Sequence, residues 1–124
     1  MLTSTAILAA EDLPRETVDV PEWGGQVCVR TLYAKELDAF EIVQHESKKA
    51  GKPINFRAGL VARALCDENG TRLLDDSQAD ALGNKSARVL DRLYDVAARL
   101  SGLGDRDKDA EKNSNGQGGD STSA

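Results

Sequence analysis

His45 is the only histidine among 124 residues, so any nucleophile–histidine catalysis would have to run through it. It stands among Gln44, Glu46 and Lys48, late in a helical pattern, which reads as a solvated surface position. No spacing points to a partner nucleophile. Cys28 and Cys66 are the two thiols. They fall far apart in different elements and read as reduced, buried small hydrophobes of a cytoplasmic protein. A disulfide is the lesser reading, and no Cys-x-x-Cys spacing offers zinc a site. Asp67-Glu68-Asn69-Gly70 has the oxygen density of a calcium loop, but an EF-hand needs Gly at its sixth position and Glu at its twelfth. Counted from Asp67, the glycine comes fourth and the twelfth residue is Gln78, so the segment reads as a tight turn. Gly24-Gly25 does not lead into a helix and is no phosphate cradle. The abundant carboxylates sit on helix surfaces, and none is singled out as an acid–base pair. No catalytic residue, cofactor or metal site is expected. The residues point to a non-enzymatic protein that acts by binding other proteins.

The elements that would carry these residues follow from periodicity. Thr3 or Ser4 can cap a short helix over Ala6 to Ala10, and Pro14 closes that region. Thr17 to Val20 and Gln26 to Arg30 alternate apolar and polar around Pro21 and Gly24-Gly25, the pattern of a hairpin with Val18 and Val20 facing Val27 and Val29. Trp23, in the turn, is expected to fold over the hairpin's apolar face. From an N-cap at Thr31, Tyr33, Leu37, Phe40 and Val43 form one apolar stripe of a helix that runs to about Lys49 and breaks at Gly51 and Pro53. Asn55 caps a second helix with Leu60, Val61, Ala64 and Leu65 inward. A short helix over Asp76 to Leu82 should stop at Gly83 in the left-handed conformation. The last helix is capped by Asn84, turns Leu90, Leu93, Tyr94, Ala97 and Leu100 inward, and ends at Gly102. Its outer face offers Arg88–Asp91, Arg92–Asp95 and Asp95–Arg99 as pairs at supporting spacing.

The patterning stops at Leu103. Gly104 to Ala124 contains no apolar side chain larger than alanine, too little to offset the entropy of ordering it, so a disordered polar tail is expected. The fold class expected is α+β: one small, mostly helical domain over residues 1–103 with an N-terminal β-hairpin, followed by the tail, 104–124. Forty percent apolar composition suits one core, and four percent aromatic means Leu, Val, Ile and Ala must build it. The net charge is −5, of which −2 falls in the tail (five acids against three bases) and −3 in the body. That balance argues against nucleic acid as a partner. No targeting signal is recognised, since no basic residue precedes Arg15 and the apolar run over Ala6 to Ala10 is short. No run reaches membrane-spanning length, so no membrane partner is expected.

Two segments carry a resemblance to a known family. Ile7-Leu8-Ala9-Ala10-Glu11-Asp12-Leu13-Pro14, running into Val18-Asp19-Val20-Pro21-Glu22-Trp23-Gly24-Gly25, resembles the opening of tail assembly chaperones from long-tailed (siphovirus-like) bacteriophages. Asn55-Phe56-Arg57-Ala58-Gly59-Leu60-Val61-Ala62-Arg63-Ala64-Leu65-Cys66-Asp67-Glu68-Asn69-Gly70, then Ala81-Leu82-Gly83 and the last helix, resembles their middle and end. The likeness spans residues 6 to 104, and its proline-glutamate-tryptophan-glycine turn is the more specific part. It implies a chaperone that binds the tape measure protein, keeps it soluble and helps recruit tail tube protein, acting in the bacterial host cytoplasm and absent from the mature virion. An acidic charge would keep such a complex in solution, and self-association into a homo-oligomer would suit a protein that coats a long partner. The family has no catalytic motif to carry over, and the partner-binding residues are unknown. The alternative is a small structural virion protein for head–tail connection or tail completion.

The resemblance also implies two product lengths, because many members are extended by ribosomal frameshifting near the end of the short form. Glu111, Lys112 and Asn113 can be encoded GAA-AAA-AAC, which contains the slippery run A-AAA-AAC. Ser47-Lys48-Lys49 could hide a similar run, but a shift there would destroy the core. The junction is therefore expected at Glu111 to Asn113, with a plain tail and no recoding as the other reading.

Overall fold

The computed structural model describes residues 1–52 and 55–103. The chain runs through α1 (Ser4–Ala9), β1 (Arg15–Val20), a 3-10 turn (Pro21–Trp23), β2 (Gly25–Arg30), α2 (Ala34–Lys49), α3 (Phe56–Ala64), β3 (Leu65–Cys66), a second 3-10 turn (Asp76–Gln78), α4 (Ala79–Leu82) and α5 (Ala87–Leu100). This is the mostly helical α+β domain expected. The expectations placed on Pro53, on the tail from Gly104 and on Glu111, Lys112 and Asn113 lie outside the described residues.

The hairpin forms where the alternation predicts, but of the expected valine partners only Val18 and Val27 are directly opposed. β1 and β2 pair antiparallel with Val20 opposite Gly25 and Val29 opposite Glu16, because the tight turn at Pro21 to Gly24 starts β2 at Gly25. Pro21 presets the first position of the 3-10 turn, and Gly24 closes it at φ 82°, a backbone region that costs a glycine nothing. Trp23 is half-buried and packs against the core, as Val18 and Val27 do. β3 has no counterpart in the sequence pattern. Leu65 leaves the helix with extended backbone, and Leu65 and Cys66 pair antiparallel with Val29 and Cys28 on the outer edge of β2. The sheet therefore has three strands, in the order β1-β2-β3. Two residues are too few to show alternation, so Leu65 reads as an inward helical residue in sequence.

α3 is the centre of the molecule. Every residue from Ala58 to Ala64 is buried, as befits a helix apolar nearly all round. Asn55 caps it, its Oδ1 accepting from the Ala58 N–H at 3.0 Å. α5 lies against α3 and across the hairpin, burying Val89, Leu90, Leu93, Ala97 and Ala98. Its cap is Ser86, not Asn84, because the turn following α4 continues with the N–H groups of Asn84 and Lys85 bonded to Ala81 and Leu82 carbonyls. Gly83 is right-handed, at φ −63°. A Cβ there would sit 3.1 Å from Asn55 Nδ2 and 3.7 Å from Ala58 Cβ, so this glycine serves close approach to α3 and not a left-handed stop.

α2 departs furthest from its stripe. Only Phe40 is buried, Leu37 is half-buried, and Tyr33 and Val43 are 43% and 45% exposed. The helix begins later than Thr31, with Tyr33 as N-cap residue, because Glu36 reaches back to accept from the Tyr33 N–H at 2.9 Å. Thr31 instead donates its hydroxyl to the Leu100 carbonyl at 3.1 Å, and Ser101 Oγ accepts from the Leu32 N–H. These bonds fasten the end of α5 to the end of β2.

Candidate functional site

The residues singled out by their chemistry are dispersed. His45 is exposed on α2, beside Asp38, Glu41, Ile42 and Glu46 at a shallow surface hollow. Asp67 does not prepare a cation site. Its Oδ1 accepts from the Asn69 and Thr71 N–H groups at 2.8 and 3.0 Å, and Gly70 takes φ 85°, so the segment is the tight turn its sequence predicts. Among the described residues, no three His, Cys, Asp or Glu side chains converge where they could hold a metal.

The two cysteines are free, Cys66 buried and Cys28 half-buried. They are not remote from one another. β3 sets Cys66 directly opposite Cys28, and the Cys66 thiol donates to the Cys28 carbonyl at 3.6 Å. Burial, then the adjoining Cys28 thiol, pushes the Cys66 thiol up from 9.0 to about 11, against the pull of Arg30 and Arg15.

Charge is organised between elements. The outward pairs expected along α5 give way to longer reaches. Arg92 forms a bidentate pair with Glu22 of the hairpin turn at 2.9 and 2.7 Å and also touches the Asp19 carbonyl. Arg99 reaches Glu16 of β1, and Asp91 pairs with Arg57 of α3. The Arg92 hydrogen bonds, helped by the Glu22 backbone N–H, hold the Glu22 carboxyl at about 2 instead of 4.5. Spacing along a helix ranks partners within that helix only, so it does not find these.

Among the described residues, Arg30 and Arg63 are the buried arginines. Arg30 is 2% exposed and pairs bidentately with Glu36, both bonds at 2.9 Å, while its guanidinium lies 4.7 Å from the Tyr33 ring centroid. The Glu36 hydrogen bond raises Arg30. Burial pushes Glu36 up, but the Arg30 and Tyr33 hydrogen bonds outweigh it and leave its carboxyl low. Arg63 is 8% exposed, stacked 4.5 Å over Phe40, bonded to the Gly59 carbonyl and 3.6 Å from Asp76. Burial lowers its pKa, with Asp76 opposing.

The surface feature that could act on another protein is apolar. No residue of α1 is buried, and Leu2, Ile7 and Leu8 are 72%, 55% and 86% exposed. On α2, Ile42 is 64% exposed next to Val43. These side chains lack the cover that the fold gives the apolar faces of α3 and α5, and sequence periodicity treats an inward and an outward Ile alike.

The family model described as phage tail assembly chaperone matches residues 3–114. No curated protein matches the chain. Among solved structures, the tail assembly chaperone of bacteriophage HK97 is similar in fold, with a TM-score of 0.56 at 24% identity over 75% of this chain and 92% of that chain.

Proposed function

The chain belongs to the phage tail assembly chaperone family, and on that premise we propose that it binds the phage tape measure protein, keeps it soluble and helps bring tail tube protein to it. The family match carries the reading. The exposed Leu2, Ile7 and Leu8 of the N-terminal segment and Ile42 and Val43 of α2 support it, being the apolar groups with which this domain can cover another helical protein. The family is one of chaperones, and the role needs binding surface and no catalytic group. No helix among the described residues is long and apolar enough to cross a membrane. The work is proposed to occur in the host cytoplasm, on a partner not yet enclosed by tube protein.

Co-expression tests it. The tape measure protein should move from the insoluble to the soluble fraction when this chain is present and co-purify with it. A tape measure protein that stays insoluble at all expression ratios removes the proposal. Purified particles should lack the chain, whereas a structural head–tail or tail-completion protein would be present at fixed stoichiometry.

We also propose a longer form, made by a frame change at Glu111, Lys112 and Asn113, that leaves the domain complete and replaces the residues C-terminal to the junction. The native gene should yield two products sharing this domain. A Lys112 codon of AAG, or no long overlapping frame, excludes this junction.

A further inference from the structure

We propose that Cys28 and Cys66 form an oxidisable cross-strand dithiol, which a low-molecular-weight disulfide such as oxidised glutathione converts to an intrachain disulfide. Register brings the two thiols together. Cys28 and Cys66 are directly opposed on neighbouring antiparallel strands. Residues so opposed project to the same side of the sheet, with Cα atoms roughly 4.5–5.5 Å apart, inside the range a disulfide spans. The contact from the Cys66 thiol to the Cys28 carbonyl at 3.6 Å places the buried sulfur over its partner residue. The register that pairs the strands is the one the bond requires.

The environment assigns the order of events. Cys28 is half-buried and lies between exposed Thr17 on one side and Cys66 on the other. It is the thiol a reagent can reach. Cys66 is 2% exposed, and its ionisation is disfavoured by burial and by the neighbouring thiol, so it does not attack first. Once Cys28 carries an adduct, Cys66 faces a disulfide sulfur instead of a competing thiol, with Arg30 and Arg15 to favour its thiolate.

The exchange balances in two steps. The Cys28 thiolate attacks one sulfur of glutathione disulfide, whose S–S bond breaks, leaving a Cys28–glutathione mixed disulfide and one glutathione thiolate. The Cys66 thiolate then attacks Cys28 Sγ, the mixed disulfide breaks, and the second glutathione thiolate leaves. Two protein thiols are oxidised by two electrons, one glutathione disulfide is reduced by two, and the thiol protons pass through solvent to the departing thiolates. The product links positions 38 residues apart and encloses α2 and α3, so oxidation fastens the β3 edge and the helix that bears Ile42 and Val43.

The full chain, reduced and then incubated with oxidised glutathione without denaturant, decides the matter by intact mass and peptide mapping. The expected product is monomeric, lacks two hydrogen atoms of mass and yields a Cys28–Cys66 linked peptide. Its Tm should rise by at least about 5 °C and return on reduction. C66S should stop at a lasting glutathione adduct on Cys28, and C28S should leave Cys66 unmodified while folded. The proposal is overturned if the wild-type chain retains both thiols, keeps a stable glutathione adduct, or links only between chains. The wild-type map decides alone should either serine variant lose the fold.

Discussion

The most consequential side chains are those whose burial leaves no substitute partner. Arg30 has a buried Nε with no hydrogen-bond partner, so its compensation rests on the Glu36 pair, the Thr31 carbonyl and the Tyr33 ring. Glu36→Ala strands that charge and removes the bond to the Tyr33 N–H. The expected loss is about 2–4 kcal/mol, below the full cost of breaking a buried pair because Glu36 is itself partly exposed. Denaturant unfolding would measure it, and Arg30→Met in the same background should recover part of it. Gly59→Ala is the complementary case. Its Cβ would lie 2.5 and 2.8 Å from Phe40 ring carbons, and that ring is 1% exposed, with Arg63 stacked over it and Phe56 at 5.3 Å. The overpacking should cost about 1–3 kcal/mol against a helix-propensity gain of at most about 1 kcal/mol. An unchanged or raised Tm would show that the ring can yield. Neither pairing was legible in sequence, where Arg30 is one more polar strand residue and Gly59 one more small helical residue.

Elements were legible wherever a repeat was long enough to show itself. The hairpin, the buried stripe of α5 and the Asn55 cap follow from periodicity and capping chemistry. β3 does not, because a two-residue strand is specified by its neighbour's edge and not by its own pattern. That one element also explains why Cys28 and Cys66 read as remote. The joint between the hairpin and α5 shows the same limit and has a pH signature. Folding lowers the Glu22 carboxyl from 4.5 to about 2 through Arg92. The folded state therefore favours the ionised form, its contribution is complete above pH 4.5, and it is lost as pH falls toward 2. Between those limits the unfolded chain binds more protons at this site, so stability should decline on acidification. In Glu22→Gln the decline over that window should be shallower than in the parent chain, as read from urea midpoints at several pH values. Equal slopes would mean that Arg92 and Glu22 do not hold the joint in solution.

At the scale of the molecule, covered and uncovered apolar surface divide along the chain. α3, α5 and the hairpin bury theirs, while the N-terminal segment through α1 and the outer side of α2 leave Leu2, Ile7, Leu8 and Ile42 in solvent. A helix pattern cannot distinguish these cases, since both show apolar residues at the same spacing, and only the position of the partner layer decides. The far end of the domain is closed differently. Leu103 is buried, Gly102 turns the chain at φ 78°, and the Thr31–Leu100 and Leu32–Ser101 bonds tie the end of α5 to the strand side. A chain ending at Leu103 keeps all of these contacts and should fold as the full one does. Its Tm should differ by no more than about 2 °C, since changes away from such contacts are usually worth at most about 0.5 kcal/mol. A chain ending at Ser101 loses the buried Leu103 side chain and should melt at least about 4 °C lower, by the cost of removing a buried leucine. If the first truncation also lowers Tm by that amount, the domain extends past Leu103. A frame change at Glu111 to Asn113 would then alter residues nearer the folded unit than the proposed longer form allows.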